Sequence, residues 1–244
     1  MSFVISVYTH EGIVMAADSR LTLTYPRVPR PGEPDGVVST PSSDSATKLF
    51  LLGNGVGVST FGIATVAGSP IAGAIETFSV EGDLASKSLS PEETAVELSK
   101  YFLKIAPGQQ TCFHVGGYQR TKSTIELQLW VVDLAAGTTI RVNKSNIQGA
   151  NWGGETDVLQ RLISEVHVVQ SPGAQPQPVP SFLIPFEFFT LQDAIDFALF
   201  GARTTSDTMR FQKREKTVGG PIDVLVLTPA EARWVSKKQL RTER

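Results

Sequence analysis

Ser2 is the residue at which chemistry could begin. Once Met1 is removed, residue 2 carries both a hydroxyl and a free α-amine. A hydroxyl is a weak nucleophile until a base accepts its proton. An α-amine, with an ordinary pKa of about 7.7–8, can be that base near neutral pH. A small second residue permits methionine removal in very many intracellular chains, so Ser2 alone says little. Its surroundings say more. Ser2 opens directly into a β-rich run over 2–8, which would hold its amine in place instead of leaving it on a loose tail. Asp18, in Ala16-Ala17-Asp18-Ser19-Arg20, ends the next apolar run, and a return of nine to ten residues brings that end back towards Ser2. Lys48 opens a later strand and Gly62 closes the one after it. Each has a plainer reading. Asp18 could cap a turn with Arg20, Lys48 could be a solvated lysine at a strand start, and Gly62 could only ease the packing of a helix start on a strand.

The elements that must position these residues follow from periodicity and turn chemistry. Residues 2–8 and Ile13–Ala17 flank the turn Thr9-His10-Glu11-Gly12, a hairpin apolar on both strands and so expected to be covered on both faces. Residues 21–46 hold Pro26, Pro29, Pro31, Pro34 and Pro41 and read as an irregular loop too long for a simple connection. Lys48–Leu52 and Val56–Thr60 form a second hairpin across Gly53-Asn54-Gly55. A helix is expected from Ala64 to about Phe78. A second opens at Ser90-Pro91-Glu92-Glu93, a capping box with Pro in the first turn. Strands follow at Cys112–Tyr118, Ile125–Asp133 and Thr138–Val142. Gly153-Gly154 is read as opening a helix, placed at Thr156–Val168, with Trp152 a packing anchor. Residues 171–185 hold five prolines and form a second extension. A helix from Thr190 towards Arg210 and strands at Ile222–Thr228 and Arg233–Ser236 complete the chain. Strands come in antiparallel groups and helices in pairs. That order excludes a doubly wound sheet and suits two sheets face to face with a helix pair outside each, in one domain over 1–244 with Pro-rich insertions near 21–46 and 171–185.

Composition narrows the partners. The formal net charge is −2, from 22 basic and 24 acidic residues, which offers no attraction for a polyphosphate and no nucleic-acid footprint. The basic end, Lys237 to Arg244, reads as a solvated tail. Cys112 is the single cysteine and reads as a small buried hydrophobe, which excludes an intrachain disulfide framework. No signal-peptide pattern and no run of membrane-spanning length is present, so the expectation is a cytoplasmic protein without membrane contact. His10 reads as an exposed turn residue, and His114 and His167 as hydrogen-bonded structural residues. No metal-ligand spacing and no dinucleotide or phosphate-loop pattern is found, so neither a metal nor a cofactor is expected.

The stretch Ile13-Val-Met-Ala-Ala-Asp-Ser-Arg20 resembles the motif that follows the nucleophile in proteasome β-subunits and their bacterial relatives, the HslV peptidase and the Anbu form. In that family the nucleophile precedes the Asp by sixteen residues, as Ser2 precedes Asp18, and the Lys precedes the oxyanion-hole Gly by fourteen, as Lys48 precedes Gly62. Val218-Gly-Gly-Pro-Ile-Asp-Val-Leu-Val-Leu-Thr228 is similar to the family's closing Gly-Gly strand, and Leu191–Ala198 to its last long helix. The resemblance implies an α+β fold: a four-layer αββα sandwich of two mainly antiparallel sheets flanked by helix pairs, the N-terminal-nucleophile (Ntn) hydrolase architecture. It implies amide hydrolysis through an acyl ester on Ser2. Lys48 would lower the proton affinity of the Ser2 amine and hydroxyl, Asp18 would hold Lys48, and the Gly62 N–H would face the oxyanion. It also implies a peptide or protein substrate, a homo-oligomeric assembly and, by analogy only, an ATPase partner. The chain departs from the pattern in three ways. Ser stands where Thr is usual. The family's amine-orienting Ser, expected around Gly149-Ala150-Asn151, is absent. Its Asp before the Gly-Gly is matched to Glu215, with Val218 where Ser is common and Arg20 as a further supporting residue. Two other functions stay open beside the peptidase: an Ntn amidase or acylase acting on a small molecule, and a catalytically silent assembly or binding protein.

Overall fold

The computed structural model describes residues 2–26, 37–66, 68–144, 147–180 and 182–239. In chain order the strands and helices begin with β1 (Phe3–Tyr8), β2 (Ile13–Ala17), β3 (Leu21–Pro26), β4 (Val37–Ser43), β5 (Leu49–Leu51), β6 (Gly57–Gly62), β7 (Thr65–Val66) and β8 (Ser69–Pro70). Then come α1 (Ile71–Glu81), α2 (Pro91–Ile105), β9 (Thr111–Arg120), β10 (Ile125–Asp133), β11 (Thr138–Arg141) and β12 (Gly149–Gly154). The chain closes with α3 (Asp157–Ile163), β13 (His167–Val168), β14 (Gln177–Pro178), α4 (Leu191–Phe211), β15 (Asp223–Leu227) and β16 (Ala232–Ser236). One five-stranded sheet has the order β12-β1-β2-β15-β16 and the other β11-β10-β9-β6-β5; three two-stranded ribbons accompany them, and every pairing is antiparallel. The fold is mixed α+β, with four α-helices among the described residues.

Side-chain alternation explains how the central hairpin is buried on both faces. Successive strand residues point to opposite sides of a sheet. Phe3, Ile5, Val14 and Ala16 enter an apolar cluster with Leu159 of α3 and Ala194, Ala198 and Ala202 of α4. Val4, Ile13, Met15 and Ala17 enter a different cluster with Leu225, Leu227 and, from the other sheet, Leu49. A third cluster joins Ile75 and Phe78 of α1 and Leu98 and Phe102 of α2 to Val58, Phe113 and Val132. Two helices begin on reciprocal caps. Ser90 accepts from Glu93 N–H while Glu93 reaches back to Ser90 N–H, and Thr190 and Asp193 do the same for α4. Removing such a cap typically costs ~1 kcal/mol.

Four local expectations are corrected. The helix expected from Ala64 starts only at Ile71, because the β7–β8 ribbon and Pro70 occupy the preceding residues. The helix expected over 156–168 ends at Ile163; His167 and Val168 pair instead with Pro178 and Gln177. Residues 149–154 form a strand, not a helix start, because they extend the sheet beside β1 along its whole length. The 21–46 segment is an ordered ribbon at both ends. β3 pairs with β4, and the hydroxyl pairs Thr24–Ser39 and Tyr25–Thr40 lie at 2.9 and 3.0 Å. Its middle, 27–36, lies outside the described residues. In the second Pro-rich segment, Phe182 and Leu183 are 94% and 97% exposed. No described helix is long and apolar enough to cross a membrane.

Candidate active site

Strand register builds the centre of the site. β1 and β2 pair with Val4 opposite Ala17, so Asp18 arrives opposite Phe3. Its backbone N–H donates to the Phe3 carbonyl at 3.1 Å, and its carboxylate accepts the Phe3 N–H on Oδ1 at 2.9 Å. Three further donors converge on that carboxylate. The Arg20 and Gly219 backbone N–H groups reach Oδ2 at 3.0 and 3.1 Å, and the Lys48 ammonium reaches Oδ1 at 2.8 Å. Asp18 and Lys48 are only 1% and 2% exposed. A buried carboxylate with four donors meets the condition under which a buried ion pair is tolerable at all, namely that its lone pairs are satisfied as well as its charge.

Lys48 stands just before β5 and is held there by its carbonyl, which accepts the Thr60 N–H at 2.9 Å. Burial pushes its pKa down; the charge and hydrogen bond of Asp18 pull it back up, and the cations Lys238 and Arg20 push it down again. Ser2 is itself buried, and it lines with Lys48 and Gly62 one cavity of about 300 Å³, walled further by Leu21, Thr47, Ile63 and Ile71. Gly62 ends β6 at φ +100°, and a Cβ there would lie 2.3 Å from the Gln110 carbonyl oxygen. Only glycine fits a left-handed residue pressed onto backbone.

Arg20 acts through its neighbours. Its guanidinium holds Asp44 through Nε at 2.6 Å and a second nitrogen at 2.8 Å, and donates to the Lys216 carbonyl at 3.2 Å. This bond to Arg20 holds the Asp44 carboxyl below its ordinary range. The same guanidinium covers Gly219, where a Cβ would stand 2.6 Å from Cζ. A side chain at 219 would therefore push the Arg20 guanidinium out of this place.

The groups beside Ser2 are not those expected. Gly149, Ala150 and Asn151 pair with Tyr8, Val7 and Ser6, at the end of β1 remote from Ser2. The residue that faces Ser2 is Glu155, whose N–H donates to the Ser2 carbonyl at 2.8 Å. Gly154 makes this possible: at φ +90° it lies so close to the Ser2 carbonyl that a Cβ would fall 1.8 Å from the oxygen. The Glu155 carboxylate accepts the buried Thr217 hydroxyl at 2.7 Å, and Arg214 sits 3.6 Å from it and 3.0 Å from Asp157. Glu215 is exposed, and Val218 is buried in the cluster beneath α4. The structure thus brings Ser2, Lys48 and Gly62 around one cavity, sets Asp18 against Lys48 with Arg20 bonded to the same carboxylate through its backbone, and leaves Glu215 exposed. Glu155 and Thr217 were missed. An acid directly after Gly153-Gly154 was the available signal, had those glycines been read as a strand end.

Of the histidine and cysteine expectations, His10 is exposed, as read. His114 is fully buried with Nδ1 3.0 Å from the Ser6 hydroxyl. His167 is half-exposed beside Glu165. Cys112 is partly buried, and burial, with Asp133 adding to it, pushes its thiol up to about 11, far from a reactive thiolate. The sequence matches no protein-family model and no curated protein.

Proposed function

We propose that this chain is an N-terminal-nucleophile amide hydrolase of the proteasome β type, with Ser2 as nucleophile after removal of Met1. The observation that carries the reading is that one carboxylate oxygen, Asp18 Oδ1, accepts both the Phe3 N–H and the buried Lys48 ammonium. That oxygen ties a cation to the backbone of the residue following Ser2, beside a cavity that Ser2 also lines. The three apolar clusters support the αββα sandwich that such enzymes share, one between the sheets and one under each helix group.

In the reaction so read, the Ser2 α-amine accepts the hydroxyl proton while Oγ bonds to the substrate carbonyl carbon. The carbonyl electron pair moves to oxygen, opposite the Gly62 N–H. The C–N bond then breaks, the amine proton passes to the leaving nitrogen, and an acyl ester remains on Ser2. Water, deprotonated by the same amine, attacks the ester; the ammonium passes that proton to Ser2 Oγ as the C–Oγ bond breaks, and the acid is released. Lys48 favours the neutral, basic amine by charge repulsion. Peptide or protein is the proposed substrate and a homo-oligomer the proposed assembly. A small-molecule amidase is the second reading, favoured by a cavity volume of about 300 Å³, the low end for small-ligand sites.

The test is intact mass of untagged protein before and after an epoxyketone or vinyl sulfone peptide probe. One adduct on Ser2 of a chain lacking Met1, lost in Lys48→Ala, is the expected result. A processed chain that stays unlabelled by probes of several shapes would sink the peptidase reading.

A further inference from the structure

We propose that Phe61 is a positioning residue of the site: its ring, seated against His114 and Gly153, braces the strand that ends at Gly62 against the strands that carry Ser2 and Glu155. Its effect on the reaction rests on the hydrolase reading above; its effect on the Ser2 segment does not.

Strand register puts the ring in place. In the pairing of β6 with β9, Ser59 lies opposite His114 and Phe61 opposite Cys112, so all four side chains share one face of their sheet. That face meets the other sheet. Phe61 packs against the apolar cluster that holds Val4 and Ala17, and His114 Nδ1 lies 3.0 Å from the Ser6 hydroxyl of β1. The Phe61 and His114 rings meet edge to face, with centroids 5.3 Å apart and planes at 75°, an arrangement that aromatic quadrupoles favour. The tip of the Phe61 ring rests on β12: a Cβ at Gly153 would stand 2.4 Å from Cζ and 2.5 Å from Cε2. Touching rings from one sheet thus reach two neighbouring strands of the other, β1 and β12.

Each end of this brace adjoins the chemistry. Gly62 follows Phe61 directly, and Gly154 and Glu155 follow Gly153. The Glu155 N–H holds the Ser2 carbonyl at 2.8 Å. Among the described residues no strand pairing joins β6 to β1 or β12. Side-chain packing between the sheets, not a hydrogen-bond ladder, therefore sets where the Gly62 N–H stands relative to Ser2. A shortened core side chain leaves a gap that its surroundings fill only in part. At Gly153 the ring bears on backbone with no side chain between to yield, so a change in the ring is passed to the segment that fixes Ser2. Phe61 also lines the cavity, and the test must separate that role from the brace.

Labelling of the full chain by the epoxyketone peptide probe, followed over probe concentration, gives a limiting rate and a half-saturating concentration. In Phe61→Leu the limiting rate is expected to fall at least about tenfold with the half-saturating concentration little changed, as for reacting groups moved out of line. Gly153→Ala asks the same question from the other side of the contact and is expected to slow labelling as well. Phe61→Leu/Gly153→Ala is expected to regain part of the loss, because the methyl enters space that the shorter side chain vacates. Amide exchange read by NMR follows the Ser2 segment without any label. The Glu155 amide is expected to exchange faster in Phe61→Leu, measured against the Leu129 amide, which is held by Asn143 in the other sheet. An unchanged limiting rate in folded Phe61→Leu overturns the proposal, and a half-saturating concentration that rises alone makes Phe61 a cavity wall instead. Unchanged Glu155 exchange overturns it too. A native chain that takes no label while Glu155 exchange still responds to Phe61→Leu keeps the brace and removes the hydrolase reading.

Discussion

The Lys48 ammonium lies 2.8 Å from Asp18 Oδ1 with both side chains almost wholly out of solvent. Breaking such a pair from one side strands the other charge, at a typical cost of 3–5 kcal/mol. Lys48→Met and Asp18→Asn are each expected to lower the unfolding free energy by an amount of that order, read from the denaturant midpoint and slope. The double variant Asp18→Asn/Lys48→Met is expected to lose less than the sum of the two. Chemical unfolding of the three variants measures the coupling, and strict additivity would remove the pair from the account of the site.

Gly62 tests the site from the opposite side of the cavity. At φ +100° with the Gln110 carbonyl 2.3 Å from a virtual Cβ, alanine meets both backbone strain and a backbone clash. Gly62→Ala is expected to destabilise the fold by more than about 1 kcal/mol and to abolish labelling of Ser2. Gly55 is also left-handed, at φ +79°, but has open space around its Cβ position. Gly55→Ala therefore serves as the control that shows strain without the clash and retains labelling.

Glu155 and Thr217 form the support that the sequence concealed. The Thr217 hydroxyl fixes the Glu155 carboxylate at 2.7 Å, and Glu155 fixes the Ser2 carbonyl through its own N–H. Thr217→Val is expected to slow labelling of Ser2 about tenfold while costing only ~1 kcal/mol of stability, the usual worth of one hydrogen bond. Thr217→Ser should restore the rate. Equal labelling rates in native and Thr217→Val protein would assign the contact to packing alone.

His114 gives the fold a dependence on acid. It lies fully buried between the sheets, hydrogen-bonded to Ser6, and burial pushes its pKa down to about 4 from an ordinary 6.5. The unfolded chain therefore takes up the proton first. The stabilisation is complete above pH 6.5 and is lost progressively as pH falls towards 4, by about 3 kcal/mol in all. Urea midpoints measured at pH 7.5 and pH 4.5 should converge in His114→Gln relative to the native chain. An undiminished pH dependence in that variant would place its origin elsewhere.

Much of the architecture was readable because its causes are local. The capping box at Ser90, the helix start at Thr190, the Gly53-Asn54-Gly55 turn and the apolar hairpin at the N-terminus each depend on residues within a few positions of one another, and each appears as read. The intervals from Ser2 to Asp18 and from Lys48 to Gly62 were likewise legible as spacing. What spacing could not supply was direction and neighbourhood. Glu155 sits beside Ser2 only because β12 runs antiparallel to β1 and turns at Gly154. Lys238, read as part of a solvated tail, donates its backbone N–H to Asp223 at the same end of the sheet only because β15 and β16 lie beside β2 in that register. The pairings of β12 with β1 and of β15 with β2 join residues more than a hundred positions apart, and no local pattern names their partners. The sequence by itself determined the locally specified elements, the N-terminal hairpin and the helices opened at Ser90 and Thr190, and named Ser2, Asp18 and Lys48 as side chains that could do chemistry; strand register decided which acids and bases stand together, because a shift of one residue turns every side chain to the opposite face.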